Sequence, residues 1–211
     1  MKPHQGYLIA LEGGEGGGKT LQTPRLAKRL KKAGHQVITV REPGGTVISE
    51  QIREVVLSAK NMAMAETTEV LLFQAARAQI YDEIVLPALQ AGKLVLIDRT
   101  RDSSVVYQGM VRGFGRDLIE KLNDIATQNT APDLTLLLDV SVKVGLTRRN
   151  GSGKVDRLDM ENGGFHQKVR EAYLELAKEN KNDRWVVIDA EQTEDAVEEA
   201  LWQAIQAKLK V

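Results

Sequence analysis

Cysteine is absent from this 211-residue chain, which excludes disulfides, thiolate metal ligands and thiol nucleophiles and suits a reducing compartment. No sign of charge dominates: 29 Lys and Arg face 29 Asp and Glu, so the formal net charge is zero. No summed field draws such a chain to nucleic acid or to an anionic membrane. Histidine is scarce, and His4, His35 and His166 are scattered, so each reads as a surface or packing residue rather than a ligand. Long apolar runs are missing too. No segment approaches a membrane-spanning length, and the first residues run into a strand-like segment with no apolar leader. The expectation is a cytoplasmic protein with neither a membrane nor a nucleic acid as partner.

What is present is an alternation. Short apolar runs at Tyr7 to Leu11, Val37 to Val40, Leu94 to Ile97, Leu134 to Leu138 and Trp185 to Ile188 read as buried parallel strands. Between them, Arg25 to Ala33, Thr67 to Ala91, Arg116 to Gln128, Phe165 to Asn180 and Thr193 to Leu209 carry helical periodicity. That order predicts an α/β fold with a doubly wound parallel sheet of about five strands flanked by helices. No repeat, proline-rich linker or composition break divides the sequence, so residues 1–211 are read as a single domain.

The low-complexity patch is Gly13-Gly14-Glu15-Gly16-Gly17-Gly18-Lys19-Thr20, which has P-loop spacing and lies between the first strand and a helical segment. Glycines let backbone N–H groups turn toward phosphate oxygens, and the helix N-terminus adds its positive dipole end. Lys19 is expected at the β and γ phosphates, and Thr20 offers a hydroxyl to the Mg²⁺ that accompanies the nucleotide. Pro24, several residues further on, implies either a kinked helix or an irregular first turn.

A nucleotide-dependent switch is the rival reading, because Asn180-Lys181-Asn182-Asp183 matches a guanine-reading pattern. Here it ends a helix and precedes a strand, whereas a ligand-edge position would follow a strand. Asp98-Arg99 does follow a strand, at the edge where doubly wound sheets bind ligands. Asp98 suits Mg²⁺ held through water, and the planar fork of Arg99 suits phosphate.

Glu42-Pro43-Gly44-Gly45-Thr46, the run Leu71 to Gln79, Ser103-Ser104-Val105-Val106-Tyr107-Gln108-Gly109 and Asp156-Arg157-Leu158-Asp159 complete a series that, with the P-loop and Asp98-Arg99, resembles bacterial thymidylate kinases over nearly the whole chain. The resemblance implies transfer of a phosphoryl group from Mg·ATP to dTMP in dTTP synthesis, by a homodimer whose interface lies between Glu66 and Ala91. It places Phe73 and Arg77 on thymine, and their four-residue spacing sets both on one helix face. It also places Ser104, Tyr107 and Gln108 near base and sugar, Glu15 near the acceptor's sugar or the metal, and Glu42 and Pro43 in a loop approaching the acceptor phosphate.

Because the P-loop has no arginine, the resemblance implies a mobile lid at about residues 148–160 carrying Arg148, Arg149, Lys154 and Arg157, with Arg148 and Arg149 equally eligible as the catalytic cation. Lys19, Arg99, a lid arginine and Glu15 form the expected catalytic set. Two departures stand out: Thr100 follows Asp98-Arg99 where an aromatic residue is expected, and Leu21 and Pro24 alter the start of the P-loop helix. A P-loop kinase for another small acceptor is the second reading.

Overall fold

The computed structural model describes residues 5–151, 156–180 and 184–209. Five strands, β1 (Tyr7–Glu12), β2 (Val37–Arg41), β3 (Leu94–Asp98), β4 (Leu134–Asp139) and β5 (Trp185–Asp189), form one parallel sheet in the order β2-β3-β1-β4-β5. The predicted strands are thus all present, and the parallel arrangement follows from apolar runs that need both faces covered.

Successive residues of the central strands go to opposite faces. Ile9, Leu11, Leu94, Leu96, Leu134, Leu136 and Leu138 join a cluster with Leu26, Leu30, Leu201 and Ile205, from α1 (Lys19–Lys32) and α9 (Glu194–Leu209). Leu8, Ala10, Val95 and Ile97 pack on the other side against Ile80, Tyr81, Val85 and Leu89. Those four belong to α3 (Glu66–Ile80), a π-helical turn (Tyr81–Val85) and α4 (Leu86–Gln90). Pro87 has no N–H to give the carbonyl four residues back, and Leu86 bonds Tyr81 O instead, five back. α1 runs through Pro24 without interruption; the proline's missing N–H leaves Thr20 O without its i+4 donor, and Thr23 Oγ1 donates to Lys19 O at 2.9 Å.

Three helical segments escape the sequence periodicity. α2 (Val47–Leu57) buries only Ser49 and Val56 and leaves Val47, Ile48 and Val55 exposed, so its apolar residues do not mark an inward stripe. Its start is nevertheless readable in Thr46, whose Oγ1 accepts from Ser49 N at 3.2 Å. α5 (Arg101–Ser104) leads into a second π-helical stretch, Val105–Val111, and α7 (Val142–Asn150) is short and weakly amphipathic. α6 (Arg116–Ala126) and α8 (Gly163–Asn180) match the expected helices. Lys154 and most of Asn180-Lys181-Asn182-Asp183 lie outside the described residues.

Candidate active site

β1 and β3 are neighbours in register, Leu11 opposite Asp98, so the P-loop and Asp98-Arg99 leave the sheet side by side at its carboxyl edge. A cleft of about 590 Å³ opens there. α1 begins after Gly18 with neither a side-chain cap nor an acidic residue in its first turn; Leu21 N and Gln22 N donate to Gly18 O, and among the described residues the N–H groups of Lys19 and Thr20 meet no acceptor, which suits an anion there. Lys19 is buried and folded back on its own loop, donating to Gly13 O at 2.8 Å and Gly14 O at 2.9 Å. Burial, together with Arg99, pulls its ammonium down to about 8. Thr20 Oγ1 donates to Asp98 Oδ2 at 3.0 Å, so hydroxyl and carboxylate stand together at the cleft wall. This is a pair of hard oxygens suited to Mg²⁺ that keeps water and phosphate ligands, and no cluster of three or more acidic, histidine or cysteine ligands occurs among the described residues.

Arg99 has φ 64, a strained left-handed conformation for a side-chain-bearing residue. Its guanidinium donates to Gly13 O at 3.0 Å and pairs with Glu15, and it lies 5.4 Å over the Tyr107 ring. Burial works against ionising Glu15, but Arg99, Lys19 and Arg149 outweigh it and hold the carboxyl at about 2. Tyr107 OH also donates to Glu15 Oε1, at 3.3 Å. The backbone behind Arg99 is fixed by Glu12, the wholly buried last residue of β1, whose carboxylate accepts Thr100 N (2.8 Å), Ser103 N (3.2 Å), Ser103 Oγ (2.6 Å) and Tyr173 OH (2.8 Å). Burial and nearby Asp102 raise the Glu12 carboxyl. The sequence reading missed Glu12, although an acidic residue closing an apolar strand is itself a signal.

At the far end of the cleft, Phe73 is half-buried on the wall and Arg77 is wholly enclosed. Arg77 Nε donates to Glu42 Oε2 at 2.8 Å, Nη1 to Asn123 Oδ1 (2.8 Å), Ser104 Oγ (3.0 Å) and Gln74 Oε1 (3.2 Å), and Nη2 to Thr100 O at 3.1 Å. Among the described residues the second Nη2 hydrogen meets no acceptor. Glu42 is therefore turned toward Arg77, and burial, countered by Arg77, pushes its carboxyl up to about 7. The cation beside Pro43 is Arg53, which donates to Pro43 O at 2.7 Å and lines the cleft. Arg53 was not expected, yet Ser49, Arg53 and Val56 share the inward face of α2 once Thr46 is read as its cap. Gln108 Nε2 donates to Glu69 Oε1 at 2.7 Å beneath the same wall.

Of the expected lid cations, the three among the described residues stand in three different settings. Arg148 donates to Ala190 O at 2.8 Å beside Gln192 and Val197 on the cleft wall. Arg149 also lines the cleft, held by Asp159 at 2.8 and 2.6 Å and by Asp156 at 3.2 Å. Arg157 is buried away from the cleft, donating to Glu69 Oε2 at 2.5 Å and Val56 O at 3.1 Å. It ties the segment that begins at Asp156 to α2 and α3. α7, which carries Arg148 and Arg149, touches the P-loop by backbone: a Cβ on Gly16 would overlap Gly145 O.

Comparison with known proteins agrees with this geometry. The chain matches the family model described as Thymidylate kinase over residues 11–201. It is 47% identical over 210 residues to a thymidylate kinase of Geotalea uraniireducens, covering 97% of this chain and 98% of that one. It is 42% identical over 206 residues to one of Caldanaerobacter subterraneus subsp. tengcongensis, covering 98% of each. The crystal structure of thymidylate kinase from Ehrlichia chaffeensis superposes with a TM-score of 0.77 at 30% identity, over 95% of this chain and 99% of that chain. The chain belongs to the thymidylate kinase family.

Proposed function

We propose that this cleft transfers the γ-phosphoryl group of Mg·ATP to dTMP, giving ADP and dTDP, within one P-loop kinase domain. The observation that carries the reading is that a phosphate-binding loop and a base-reading wall of Phe73, Arg77 and Gln108 open into one cleft, with Arg53 and Arg99 between them. An acceptor phosphate has a second pKa of about 6, so at neutral pH it is mostly a dianion and attacks without a protein base. Its oxygen bonds to the γ-phosphorus as the bond to the β–γ bridging oxygen breaks, and ADP leaves with those electrons. The protein supplies alignment and charge.

Lys19 exchanges Gly13 O and Gly14 O for phosphate oxygens, and Arg53 holds the acceptor phosphate. Arg99 and one of Arg148 and Arg149 balance the transferring group. Arg149 is better placed for that, since Arg148 reaches to Ala190 beside the last strand and suits the adenine end. Mg²⁺, when bound at Thr20 and Asp98, neutralises phosphate charge. Phe73 stacks on thymine, Arg77 and Gln108 read its edge, and Ser104, Tyr107 and Glu15 border the sugar. Closure of the lid keeps water from the γ-phosphate.

A homodimer in the cytoplasm fits the remaining surface. The exposed apolar residues Val47, Ile48 and Val55 of α2, Leu71 of α3, and Leu118 and Ile125 of α6 occupy helices in which α3 packs against both neighbours. The proposed interface therefore extends beyond Glu66 to Ala91 and takes only Leu71 of these from that stretch. Among the described residues, no helix is long and apolar enough to cross a membrane. The test is ADP formation from Mg·ATP with dTMP, dUMP, dCMP, dGMP, AMP or UMP offered singly, plus a no-acceptor control. Turnover dominated by dTMP is expected; turnover led by another acceptor would keep the kinase and discard the thymine wall, and none at all would discard both.

A further inference from the structure

Glu69 lies on α3 four residues before Phe73 and eight before Arg77, yet its carboxylate is buried behind the base wall rather than on it. Donors from two separate segments meet it: Gln108 Nε2 at 2.7 Å and Arg112 Nη2 at 3.4 Å from the second π-helical stretch and its end, and Arg157 Nη2 at 2.5 Å from behind the lid. An ionised carboxylate only accepts hydrogen bonds, whereas an amide donates at one end and accepts at the other. Glu69 therefore dictates which way Gln108 faces. Its NH₂ must turn back to Glu69, and its Oε1, which meets no donor among the described residues, is left for the cleft that Gln108 lines.

Arg77, on the same wall, has only donors to offer. The wall thus presents a donor beside an acceptor. A thymine edge has the opposite pattern, an O4 acceptor beside an N3–H donor, while cytosine reverses both with an N4 amino donor and an unprotonated N3. A Gln108 amide turned over would offer donors to cytosine N3 and oppose the thymine N3–H.

We infer that Glu69 is a positioning residue for acceptor selectivity: by locking the polarity of the Gln108 amide, it makes the pocket accept thymine and reject cytosine. This rests on the thymine-pocket reading above. The same carboxylate holds Arg157, so the base wall and the segment behind the lid share one anchor.

The test compares kcat/KM for dTMP and dCMP, with ATP saturating, in the wild type, Glu69→Gln, Arg157→Met and the double variant. The wild type is expected to favour dTMP by about 100-fold or more, as a site built around buried hydrogen-bonding groups does. The amide introduced by Glu69→Gln can meet either orientation of Gln108, so that ratio is expected to fall by about 10-fold or more, while Arg157→Met loosens the anchor and leaves the ratio within about twofold. If Glu69→Gln alone does not fold, the double variant, which removes both halves of the buried pair, gives the reading and must show the same fall. An unchanged ratio in Glu69→Gln, or an equal fall in Arg157→Met, overturns the role of Glu69 and leaves the thymine pocket standing. A wild type with no preference for dTMP over dCMP overturns the pocket and this inference with it.

Discussion

The two ends of the cleft are built on different principles. At the phosphate end the groups come from one contiguous loop and the residues beside it, and they bond mainly to backbone carbonyls and to each other: Lys19 to Gly13 O and Gly14 O, Arg99 to Gly13 O and Glu15. In the proposed reaction these partners are placeholders that phosphate oxygens replace. At the end proposed to take the base, Arg77 is held by Glu42, Gln74, Thr100, Ser104 and Asn123, from separate parts of the chain, and all of them are buried. Its residues are at once pocket and core. Function and stability are therefore separable at the first end and fused at the second.

Lys19→Ala should give the largest effect and the cleanest separation. Loss of a charge-stabilising donor lowers kcat/KM by about 10³-fold. Folding should not suffer: with its pKa pulled down to about 8 the ammonium is still mostly charged at neutral pH, and holding that charge in a buried site costs folding free energy that the variant no longer bears. Steady-state kinetics beside a urea titration would show it, and a large drop in stability would break the comparison. Arg77→Ala is the counterpart. It strands the Glu42 carboxylate in the interior, with an expected cost of about 3–5 kcal/mol at pH 8 and less at pH 6, where Glu42 takes up a proton more easily. A variant with weakened dTMP use and unchanged urea stability would show that Arg77 is a reader of the base only.

The same contrast explains what the sequence discloses. The sheet is legible because each strand is a short run of mainly apolar residues, broken only by Thr39 in β2 and Thr135 in β4, and the phosphate end because glycine, lysine and threonine stand at fixed spacing. Phe73 and Arg77 are legible by resemblance and by their shared helix face. Glu69, Gln74 and Asn123 are not, because a buried polar residue on a helix looks like a solvated one until its partners, dozens of residues away, are known. Arg53 is hidden for a different reason: α2 exposes its apolar residues, so its inward face carries no stripe. Arg157 is legible as a cation, but only the fold distinguishes an anchor from a mobile group.

Glu42→Gln sharpens the comparison through pH. In the folded protein the Glu42 carboxyl is raised from 4.5 to about 7, with burial the main cause, so the folded state holds this proton more tightly than the unfolded chain. Its stabilising contribution is complete below about pH 4.5 and is lost as pH rises through about 7, a change on the order of 3 kcal/mol. Glu42→Gln removes that slope. Denaturant titrations of both proteins at several pH values between 4.5 and 8 should therefore diverge steadily, and parallel curves would place Glu42 outside the coupled network.

The smallest expected effect tests how far the network reaches. Thr100 stands where the family resemblance calls for an aromatic residue, and an aromatic ring approaches it from elsewhere: Tyr81, buried in the first π-helical turn, has its hydroxyl 2.9 Å from Thr100 Oγ1. Thr100 O in turn accepts from Arg77 Nη2, and Thr100 N is held by Glu12. Thr100→Ala leaves the Tyr81 hydroxyl buried without that partner, at a cost of about 1 kcal/mol. Tyr81→Phe should cost about as much, and the double variant little more, since both remove the same bond. Because the Thr100 carbonyl positions Arg77, Thr100→Ala should also raise KM for dTMP by about two- to fivefold and leave KM for ATP unchanged. A rise in both would mean that Thr100 acts on the phosphate end through Arg99 next to it, and that the two ends are coupled at this residue.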